Sequence, residues 1–485
     1  MVGVPRAGGR IAIALLVAVG LVLLAVGIYH SVKPLPPGLN VDGPLRPVSD
    51  VRFLSDTSYI GTDDQRHLEQ SIFDEVFAMI DAAERFVLID MFLFNDFQGE
   101  VREEHRALSA ELTERLIAQK QRFPNLEAHL ITDPINTVYG GQRARHLERL
   151  EQAGITVTLT RLEALRDSNP AYSSIWRTFL SHFGTSTGDR LASPLGDGRI
   201  SLRSFLILPN FKANHRKVII ADQGGGNGYA ALVTSANPHD GSSAHGNVAL
   251  RFSGPAVQDL LTTEQAVLAF SGGPTVQSTL STRPPADPTD AGLRVVTELA
   301  IKHALLETIN GVNAGDQLDI AVFYLSDRDI VSALLAAHDR QAQLRLLLDA
   351  NKDAFGREKN GIPNRQTALE LHRAGIPVRW CETRGEQCHS KFMLARHADG
   401  EATLIVGSAN FTRRNLNNLN LETSMVLTGR TAELTALADA ADWFELRWSN
   451  TDDKRFSVDY ETYADTRVWP QLVYRFMEAS GISTF

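Results

Sequence analysis

The stretch FKANHRKVIIADQGGGNGYAALVTSAN, residues 211–237, contains the pattern on which the fold prediction rests. His215 and Lys217 stand one residue apart, and the β-branched run Val218–Ala221 that follows is typical of a buried strand. Because alternate side chains of a strand point to the same face, the imidazole and the ammonium can serve one site together. After a glycine-rich turn, a second apolar run ends at Asn237. The stretch therefore predicts a hairpin that carries an imidazole, an ammonium and a carboxamide.

The same arrangement returns in CHSKFMLARHADGEATLIVGSAN, residues 388–410. His389 and Lys391 repeat the spacing, an apolar run follows, and Asn410 closes the second hairpin. A single short motif has a real rate of chance occurrence, whereas two matching hairpins in one chain argue against chance.

This pair of hairpins resembles the phospholipase D superfamily, whose signature is HxKxxxxD followed by GSxN, usually present twice. The first copy matches the signature at His215, Lys217, Asp222 and Asn237. The second copy matches it at His389, Lys391 and Asn410. The resemblance implies an α/β fold of two duplicated sandwich lobes with mixed sheets, related by a pseudo-twofold axis and sharing one active site.

The resemblance also implies a catalytic set and a mechanism through a covalent phosphohistidine, with no cofactor and no metal. We assign His215 as the nucleophile and His389 as the acid and base, although the sequence equally permits the exchanged roles. The remaining predicted catalytic residues are the phosphate ligands, the signature aspartate and one orienting group: Lys217, Lys391, Asn237, Asn410, Asp222 and Glu422. Asn247 holds the place of Glu422 in the first half. The alternative for both of these is an ordinary solvated polar residue.

Arg396 stands where the second signature has aspartate. If that aspartate were indispensable, the second hairpin would be degenerate and the protein a pseudoenzyme or scaffold. However, four residues of strand separate Arg396 from Lys391, which places its side chain far from a phosphate bound at the lysine. We therefore interpret position 396 as structural and expect activity.

The two halves repeat the same order of alternating helix and strand signals, including the paired phrases QAGITV and RAGIPV. Such alternation favours an α/β lobe in each half. We predict a first lobe over residues 51–270, a Pro/Ser/Thr-rich linker over 271–290 and a second lobe over 291–485. Loops after strand ends often line ligand crevices, which makes a further polar set weaker candidates: Asp133, Asn136, Asn351, Lys352 and Arg357.

The apolar stretch Ile11–Tyr29 carries no charged side chain and is long enough, at about 1.5 Å per residue, to cross a hydrocarbon core of about 30 Å. Arg6 and Arg10 precede it, which favours a cytoplasmic N-terminus and an exported body, periplasmic in a bacterium. A cleaved signal peptide is the competing interpretation. We favour a retained single-pass anchor over residues 1–30, because no clear cleavage site follows, and a stiff Pro-rich spacer over 31–50.

The first half contains an insert, Arg161–Asn210, that the second half lacks. It carries aromatic and apolar residues at helical spacing, namely Tyr172, Trp176, Phe179, Leu180 and Phe183. These side chains predict a lid, an acyl-chain groove or a membrane-interface helix, or else an extra helix packed on the lobe. Cys381 and Cys388, the two cysteines of the chain, flank a short loop before His389 and form either a disulfide or two free thiols.

The sequence thus predicts a membrane-anchored phospholipase D-like phosphodiesterase or phosphatidyltransferase with a phospholipid substrate. No dimer is required, because both hairpins contribute to one site. A nuclease of the same superfamily is the first alternative, but the tether and the formal net charge of -9 disfavour nucleic acid as a partner. The second alternative is a non-catalytic membrane protein that binds lipid headgroups.

Overall fold

The computed structural model describes residues 6–48, 50–98, 106–277, 291–354, 357–483 and 485. The chain begins with the apolar helix α1 (Arg6–Val32), within which Gly9–Val32 is long and apolar enough to span a membrane. The short strand β1 (Arg46–Pro47) follows. The remainder forms two lobes.

The first lobe contains, in chain order, β2 (Val51–Gly61), β3 (Arg66–Glu69), α2 (Ile72–Ala82), β4 (Phe86–Met91), α3 (Leu108–Arg122), β5 (Glu127–Thr132), α4 (Arg145–Gln152), β6 (Thr156–Leu159), α5 (Pro170–Thr178), β7 (Leu191–Ala192), β8 (Arg199–Ile200), α6 (Leu202–Ile207), β9 (Lys217–Asp222), β10 (Tyr229–Thr234), β11 (Asn247–Ser253) and α7 (Ala256–Ser271).

The second lobe contains β12 (Gly292–Thr297), α8 (Leu299–Gly311), β13 (Gln317–Val322), α9 (Arg328–Asp339), β14 (Gln343–Leu348), β15 (Asp353–Ala354), β16 (Arg357–Glu358), α10 (Asn364–Arg373), β17 (Val378–Cys381), β18 (Lys391–Arg396), β19 (Glu401–Gly407), α11 (Arg413–Leu416), β20 (Thr423–Arg430), α12 (Thr435–Ser449), β21 (Lys454–Arg455), β22 (Ser457–Asp459) and α13 (Val468–Ser480).

Each lobe is built on one mixed sheet, and the two sheets share a strand order. The first sheet contains the path β2-β11-β10-β9-β4-β5-β6, and the second contains the matching path β12-β20-β19-β18-β13-β14-β17. In both, the histidine-bearing hairpin is antiparallel and its first strand pairs antiparallel with a strand that begins a parallel run. The predicted α/β fold class is confirmed, and the shared strand order supports the predicted duplication.

The core explains why the hairpin strands are apolar on both faces. Val218 and Ile220 of β9 contribute to a hydrophobic cluster that also contains Phe392 and Leu394 of β18, so this cluster joins the lobes. The alternate residues of the same strands, such as Ile219, pack within their own lobe. Because successive side chains of a strand point to opposite faces, one face of each strand packs in the core shared by the two lobes and the other face packs in the core of its own lobe. Each fully buried aliphatic side chain contributes about 1.5–3 kcal/mol.

The segment predicted as a stiff, extended spacer is instead part of the folded body. Arg46 pairs with Leu293 of β12, and its guanidinium lies 2.7 Å from the Asp259 carboxylate on α7 of the first lobe. Leu39 is buried in the core that joins the lobes. Backbone groups at an open sheet edge gain more by pairing than by remaining solvated, which accounts for this strand. Residues 278–290 of the predicted linker lie outside the described residues.

A buried ion cluster connects this segment to the catalytic hairpin. The Arg216 side chain lies 3.0 Å from a Glu264 oxygen and 2.7 Å from a Glu298 oxygen, with all three side chains fully buried. Glu298 also accepts hydrogen bonds from the backbone nitrogen atoms of Asn40, at 2.7 Å, and Glu422, at 3.2 Å. Since a buried charge is costly without a partner, removal of one member would leave the others uncompensated.

Candidate active site

The backbone of each candidate histidine is held by a loop of the opposite lobe. The His215 nitrogen donates to the Leu421 carbonyl at 2.9 Å, and the His389 nitrogen donates to the Gly246 carbonyl at 2.8 Å. Both histidines stand two residues before a buried lysine that opens a strand, β9 in one lobe and β18 in the other. The matching contacts place the two hairpin ends about one pseudo-twofold axis, so both lobes build one site.

The side chains that orient the histidines are exchanged between the lobes. Nδ1 of His215, in the first lobe, lies 3.0 Å from a carboxylate oxygen of Glu422, in the second. Nδ1 of His389, in the second lobe, lies 3.0 Å from the amide oxygen of Asn247, in the first. Sequence analysis located both partners, but their crossing depends on how the lobes dock and has no local signal.

Further contacts fix the orientation of the Asn247 amide. Its nitrogen donates to the His245 carbonyl at 2.9 Å, while its oxygen accepts from the Ser235 hydroxyl at 2.9 Å. The oxygen therefore faces His389, and Nδ1 of that imidazole must carry the proton. On the other side, the Glu422 carboxylate accepts hydrogen bonds from the Ser408 hydroxyl and the Asn415 amide.

Each candidate lysine packs against an aromatic ring that sequence analysis missed. Nζ of Lys217 lies 5.1 Å from the ring centre of Phe92, and Nζ of Lys391 lies 5.4 Å from that of Phe323. The same rings lie 4.8 Å from the imidazole of His215 and 5.2 Å from that of His389. The available signal was weak, since it consists only of an aromatic residue directly after β4 and β13. These rings exclude water from one side of each histidine–lysine pair.

The site is electrostatically poised to receive an anion. Burial lowers the pKa of His215 to about 4 although Glu422 opposes the shift, and Lys391 of the other lobe adds to the decrease. Burial also places the pKa of His389 well below its usual value, and Lys391 lowers it further. The pKa of Lys217 falls to about 7, again through burial. When a negative group enters the site, it favours the charged forms of these side chains and raises their pKa values, so that they take up protons.

The two candidate carboxamides end the hairpins at positions that match in the two lobes. The Asn237 side-chain oxygen accepts a hydrogen bond from the Leu93 nitrogen at 3.2 Å. The Asn410 side-chain oxygen is buried without a hydrogen-bond partner among the described residues. An unpaired buried polar atom is costly, so this amide is available to a ligand. Among the same residues, we find no group of three or more His, Cys, Asp or Glu side chains suited to a metal ion.

Two buried aspartates support the residues directly before the histidines. Asp133 accepts from the Asn214 nitrogen at 2.7 Å, and Asp349 accepts from the Cys388 nitrogen at 2.8 Å. Burial raises the pKa of Asp133 to about 7 and that of Asp349 to about 6. Asp133 was among the weaker candidates, and it acts on backbone position. Cys388 forms a disulfide with Cys381.

The other weaker candidates maintain loops. The Asn136 oxygen accepts from the Phe94 nitrogen at 2.9 Å, and the Asn351 amide donates to the Phe323 carbonyl at 3.0 Å. Nζ of Lys352 donates to the Thr383 carbonyl at 2.7 Å. The Arg357 side chain lies outside the described residues. These contacts satisfy polar groups of the loops that carry the site.

The family model described as the phospholipase D-like domain of cardiolipin synthase matches residues 305–448, which include the second hairpin and Glu422. Over these residues the chain matches the phospholipase D superfamily, in agreement with the resemblance of its hairpins. The structure of phosphatidylserine synthase from Haemophilus influenzae Rd KW20 superposes with a TM-score of 0.54 at 9% identity, covering 90% of this chain and 94% of that one. This likeness establishes the two-lobed fold. No curated protein sequence matches the chain.

Two further structures superpose with lower TM-scores. Polyphosphate kinase from Porphyromonas gingivalis gives a TM-score of 0.46 at 13% identity, with coverage of 89% of this chain and 53% of that one. The phospholipase D family member Nuc from Salmonella typhimurium gives a TM-score of 0.27 at 20% identity, covering 34% of this chain and 99% of that one.

Asp222, the aspartate of the phospholipase D signature, does not reach the site, so its inclusion in the catalytic set is wrong. It ends β9, roughly 16 Å from Lys217 at about 3.3 Å per strand residue. Its carboxylate accepts hydrogen bonds from the backbone nitrogen atoms of Arg85, at 2.9 Å, and Phe86, at 2.8 Å, at the start of β4. Asp222 therefore fixes the register of two neighbouring strands.

In the second lobe, a basic residue at the matching position joins the corresponding two strands. Arg396 ends β18, and its guanidinium lies 2.9 Å from the buried carboxylate of Asp319 on the neighbouring β13. Arg345 of β14 approaches the same carboxylate at 2.7 Å. Arg396 thus joins strands at a position remote from the histidines, and its departure from the phospholipase D signature leaves the site intact.

Proposed function

We propose that this protein is a membrane-anchored phospholipase D-type enzyme. It cleaves a phosphodiester of membrane phospholipids and passes the phosphatidyl group to water or to an alcohol. The crossed contacts of Glu422 with His215 and of Asn247 with His389 carry the proposal. They support one shared site to which each lobe gives a histidine, a lysine and a carboxamide, a set that provides a nucleophile, an acid and ligands for phosphate oxygens.

His215 is the proposed nucleophile. A pKa of about 4 keeps its imidazole neutral at physiological pH, which leaves a lone pair on Nε2 for attack on phosphorus. Bond formation to phosphorus makes the ring cationic, and the Glu422 carboxylate at Nδ1 stabilises that charge. The neutral amide at His389 offers no equivalent stabilisation. The asymmetry of the two partners therefore favours His215 over His389 for this role.

His389 is the proposed acid and base. His389 takes up a proton at Nε2 when the anionic phosphate binds, because a neighbouring negative charge raises the pKa of the imidazole. When the Nε2–phosphorus bond then forms at His215, the bond from phosphorus to the leaving oxygen breaks, and Nε2 of His389 gives that oxygen its proton. In the second step, the same nitrogen takes a proton from water or an alcohol, whose oxygen bonds to phosphorus as the bond to His215 breaks. Without a carboxylate partner, the imidazolium of His389 is a stronger acid, which suits an alkoxide leaving group.

Lys217, Lys391, Asn237 and Asn410 hold the non-bridging oxygens in this proposal. Both lysine ammonium groups donate to the carbonyl of the histidine two residues earlier, at 2.8 and 2.6 Å. These bonds fix the ammonium groups beside the histidines before substrate arrives. Such preorganised donors stabilise the charge that develops at phosphorus at little reorganisation cost.

Phospholipid is favoured as the substrate by two independent features. The apolar helix α1 is compatible with a membrane anchor and would keep the site close to a bilayer. The matching family model and the phosphatidylserine synthase structure both carry names of phospholipid enzymes. With Arg6 and Arg10 before the helix, we propose that the lobes lie on the exported side.

The test uses the full chain in mixed micelles with phospholipids labelled in the headgroup and, separately, with labelled single-stranded DNA, each with and without EDTA. We expect lipid turnover that persists in EDTA and is lost in His389→Ala. His67→Ala, at a half-exposed histidine elsewhere in the first lobe, is the matched control. Turnover of DNA alone would support a superfamily nuclease. Headgroup binding without turnover of either substrate would support a non-catalytic lipid-binding protein.

A further inference from the structure

Two sets of exposed apolar side chains lie on the insert, which packs on α1, and on α13, whose C-terminal end contacts that insert. The first belongs to the insert, residues 161–210, and comprises Ile175, Phe179, Phe183, Leu202 and Phe205. The second lies on α13 and comprises Val468, Trp469, Leu472 and Phe476. Phe183 is 73% exposed and Trp469 is 72% exposed. Scattered apolar residues on a surface are ordinary, whereas grouped large ones mark an interaction surface.

Helix α13 is amphipathic and lies on the second lobe. Its exposed residues at 468, 469, 472 and 476 follow helical spacing and share one side. The opposite side is anchored by Tyr474, a fully buried residue whose hydroxyl donates to the Ser326 carbonyl at 3.0 Å. Glu478 accepts from the Ser326 hydroxyl at 2.8 Å. The apolar side is therefore held outward by a fixed helix.

The insert is attached to α1 at a defined depth. Helix α5 packs along α1, with Gly27 so close to Pro170 that an added Cβ would lie 3.4 Å from its carbonyl oxygen. Gly27 precedes Val32, the end of the candidate span, by about 7 Å of helix. Amphipathic helices rest about 5–10 Å into the boundary between headgroups and acyl chains. The contact with α1 therefore places α5 in that boundary.

The C-terminal end of α13 contacts the insert close to the end of α1. The Asp167 nitrogen donates to the His30 carbonyl at 2.9 Å, which ties the insert to the end of α1. Gly481, directly after α13, packs so closely that an added Cβ would lie 2.0 Å from the Ser168 oxygen. With φ at 75°, this position also favours glycine. Residues 167–168 thus contact both α1 and the end of α13.

We propose that the exposed side of α13 and the apolar residues of the insert form a membrane-docking surface that rests in the lipid headgroup region. One lobe contributes each half, so the shared site is held against the bilayer at two points besides α1. The lipid surface is the occupant because the insert packs on the apolar helix that would enter it, and the end of α13 contacts the same insert at Ser168. This inference rests on the proposed anchoring of α1, although it does not depend on catalysis.

The test measures the depth of Trp469 with the full chain reconstituted in phosphatidylcholine vesicles whose acyl chains carry bromine, a quencher of tryptophan. The emission lost in Trp469→Phe defines the signal of this residue among the tryptophans of the chain. We expect brominated vesicles to quench that signal roughly twofold or more, as for a side chain in the interface. Flotation of the vesicles after a carbonate wash reports separately whether α1 remains inserted.

A second readout uses paired substitutions. Leu472→Ser with Phe476→Ser is expected to reduce turnover of vesicle lipid about tenfold or more, because two apolar side chains no longer enter the interface. Turnover of a soluble short-chain phospholipid should be unchanged. Leu446→Ser, at an exposed leucine of α12, is the matched control, and thermal melts verify that each variant is folded.

Three outcomes would overturn the docking surface. If Trp469 is not quenched in vesicles that retain the chain, α13 does not contact the lipid and α1 alone is the anchor. A dimer in detergent that dissociates on Leu472→Ser with Phe476→Ser would assign the surface to a second copy. Loss of the chain from carbonate-washed vesicles would remove the anchoring on which the inference rests. Absence of all turnover, with Trp469 quenched, would count against the proposed activity and leave docking supported.

Discussion

The carboxylate of Glu422, in the second lobe, lies 3.0 Å from Nδ1 of His215, in the first. The matching contact to His389 comes from an amide, that of Asn247. One imidazole therefore has a negative group behind it and the other has a neutral one. Because a carboxylate stabilises a cationic ring and an amide does not, the two histidines are chemically unequal although the lobes are alike.

This difference predicts that loss of His215 and loss of His389 have different kinetic effects on an activated diester such as bis(p-nitrophenyl) phosphate. Its leaving group departs without a proton, so His389→Ala should still release one equivalent of nitrophenol in a burst and then stall. His215→Ala should show no burst. On lipid, we expect either change to reduce turnover by about 10²-fold or more. Rapid-mixing absorbance measures the burst, and a burst in His215→Ala would exchange the roles.

Asn247→Asp is predicted to move the pH dependence of activity. Burial places the pKa of His389 well below its usual value, so its proton is lost early as the pH rises. A carboxylate at Nδ1 favours the charged ring and raises that pKa, typically by about one unit or more. The high-pH limb of kcat/KM for lipid should therefore shift upward by about one unit. An unshifted limb would mean that another group limits the reaction; Asn227→Asp, at an exposed residue of the turn between β9 and β10, is the comparison.

Arg396→Asp, which restores the family signature, is predicted to harm stability and spare the chemistry. The new carboxylate would face the fully buried Asp319, which loses one of its two arginine partners. We expect a loss of about 1–3 kcal/mol in the free energy of unfolding, measured by denaturant titration, because a buried charge becomes undercompensated. Turnover per folded molecule should be unchanged. Lower turnover at unchanged stability would contradict the structural role.

Reduction of the disulfide between Cys381 and Cys388 is predicted to weaken the fold around the second hairpin. Closing a loop this short contributes about 2–3 kcal/mol by the chain-entropy account. The Cys388 nitrogen also contacts Asp349 beside His389, so activity should fall together with stability. Thermal melts with and without reductant measure the effect, and the doubly substituted Cys381→Ser, Cys388→Ser protein should not respond to reductant. A wild-type melt insensitive to reductant would refute the prediction.

Sequence analysis predicted the duplicated α/β lobes because local signals carry that information. The β-branched runs of β9 and the apolar run of β18 define strands by themselves, and the histidine–lysine spacing defines which side chains share a face. The crossed partners Glu422 and Asn247 were located by motif, yet their targets depend on the docking of the lobes. Phe92 and Phe323 were missed because an aromatic residue after a buried strand has no distinctive pattern.

Two errors have the same physical origin. Asp222 was grouped with Lys217 because the residues are neighbours in the motif, whereas an extended strand carries them apart. Arg46 and its neighbours were expected to form a stiff spacer because proline-rich composition is typical of linkers, but the open edge of β12 offered a backbone partner. In both cases, the position of the residue depends on tertiary geometry, which local composition does not indicate.

The hydrogen bond from the Asn40 nitrogen to Glu298 has a practical consequence for preparing a version of this protein without its apolar helix. Truncation at Val51, the apparent start of the first lobe, would strip Leu39 from the core and leave one oxygen of Glu298 without its backbone donor. The same glutamate contacts Arg216, the residue between His215 and Lys217. A cut made immediately after Val32 removes the apolar helix and keeps these residues, so it is the better place to divide the polypeptide.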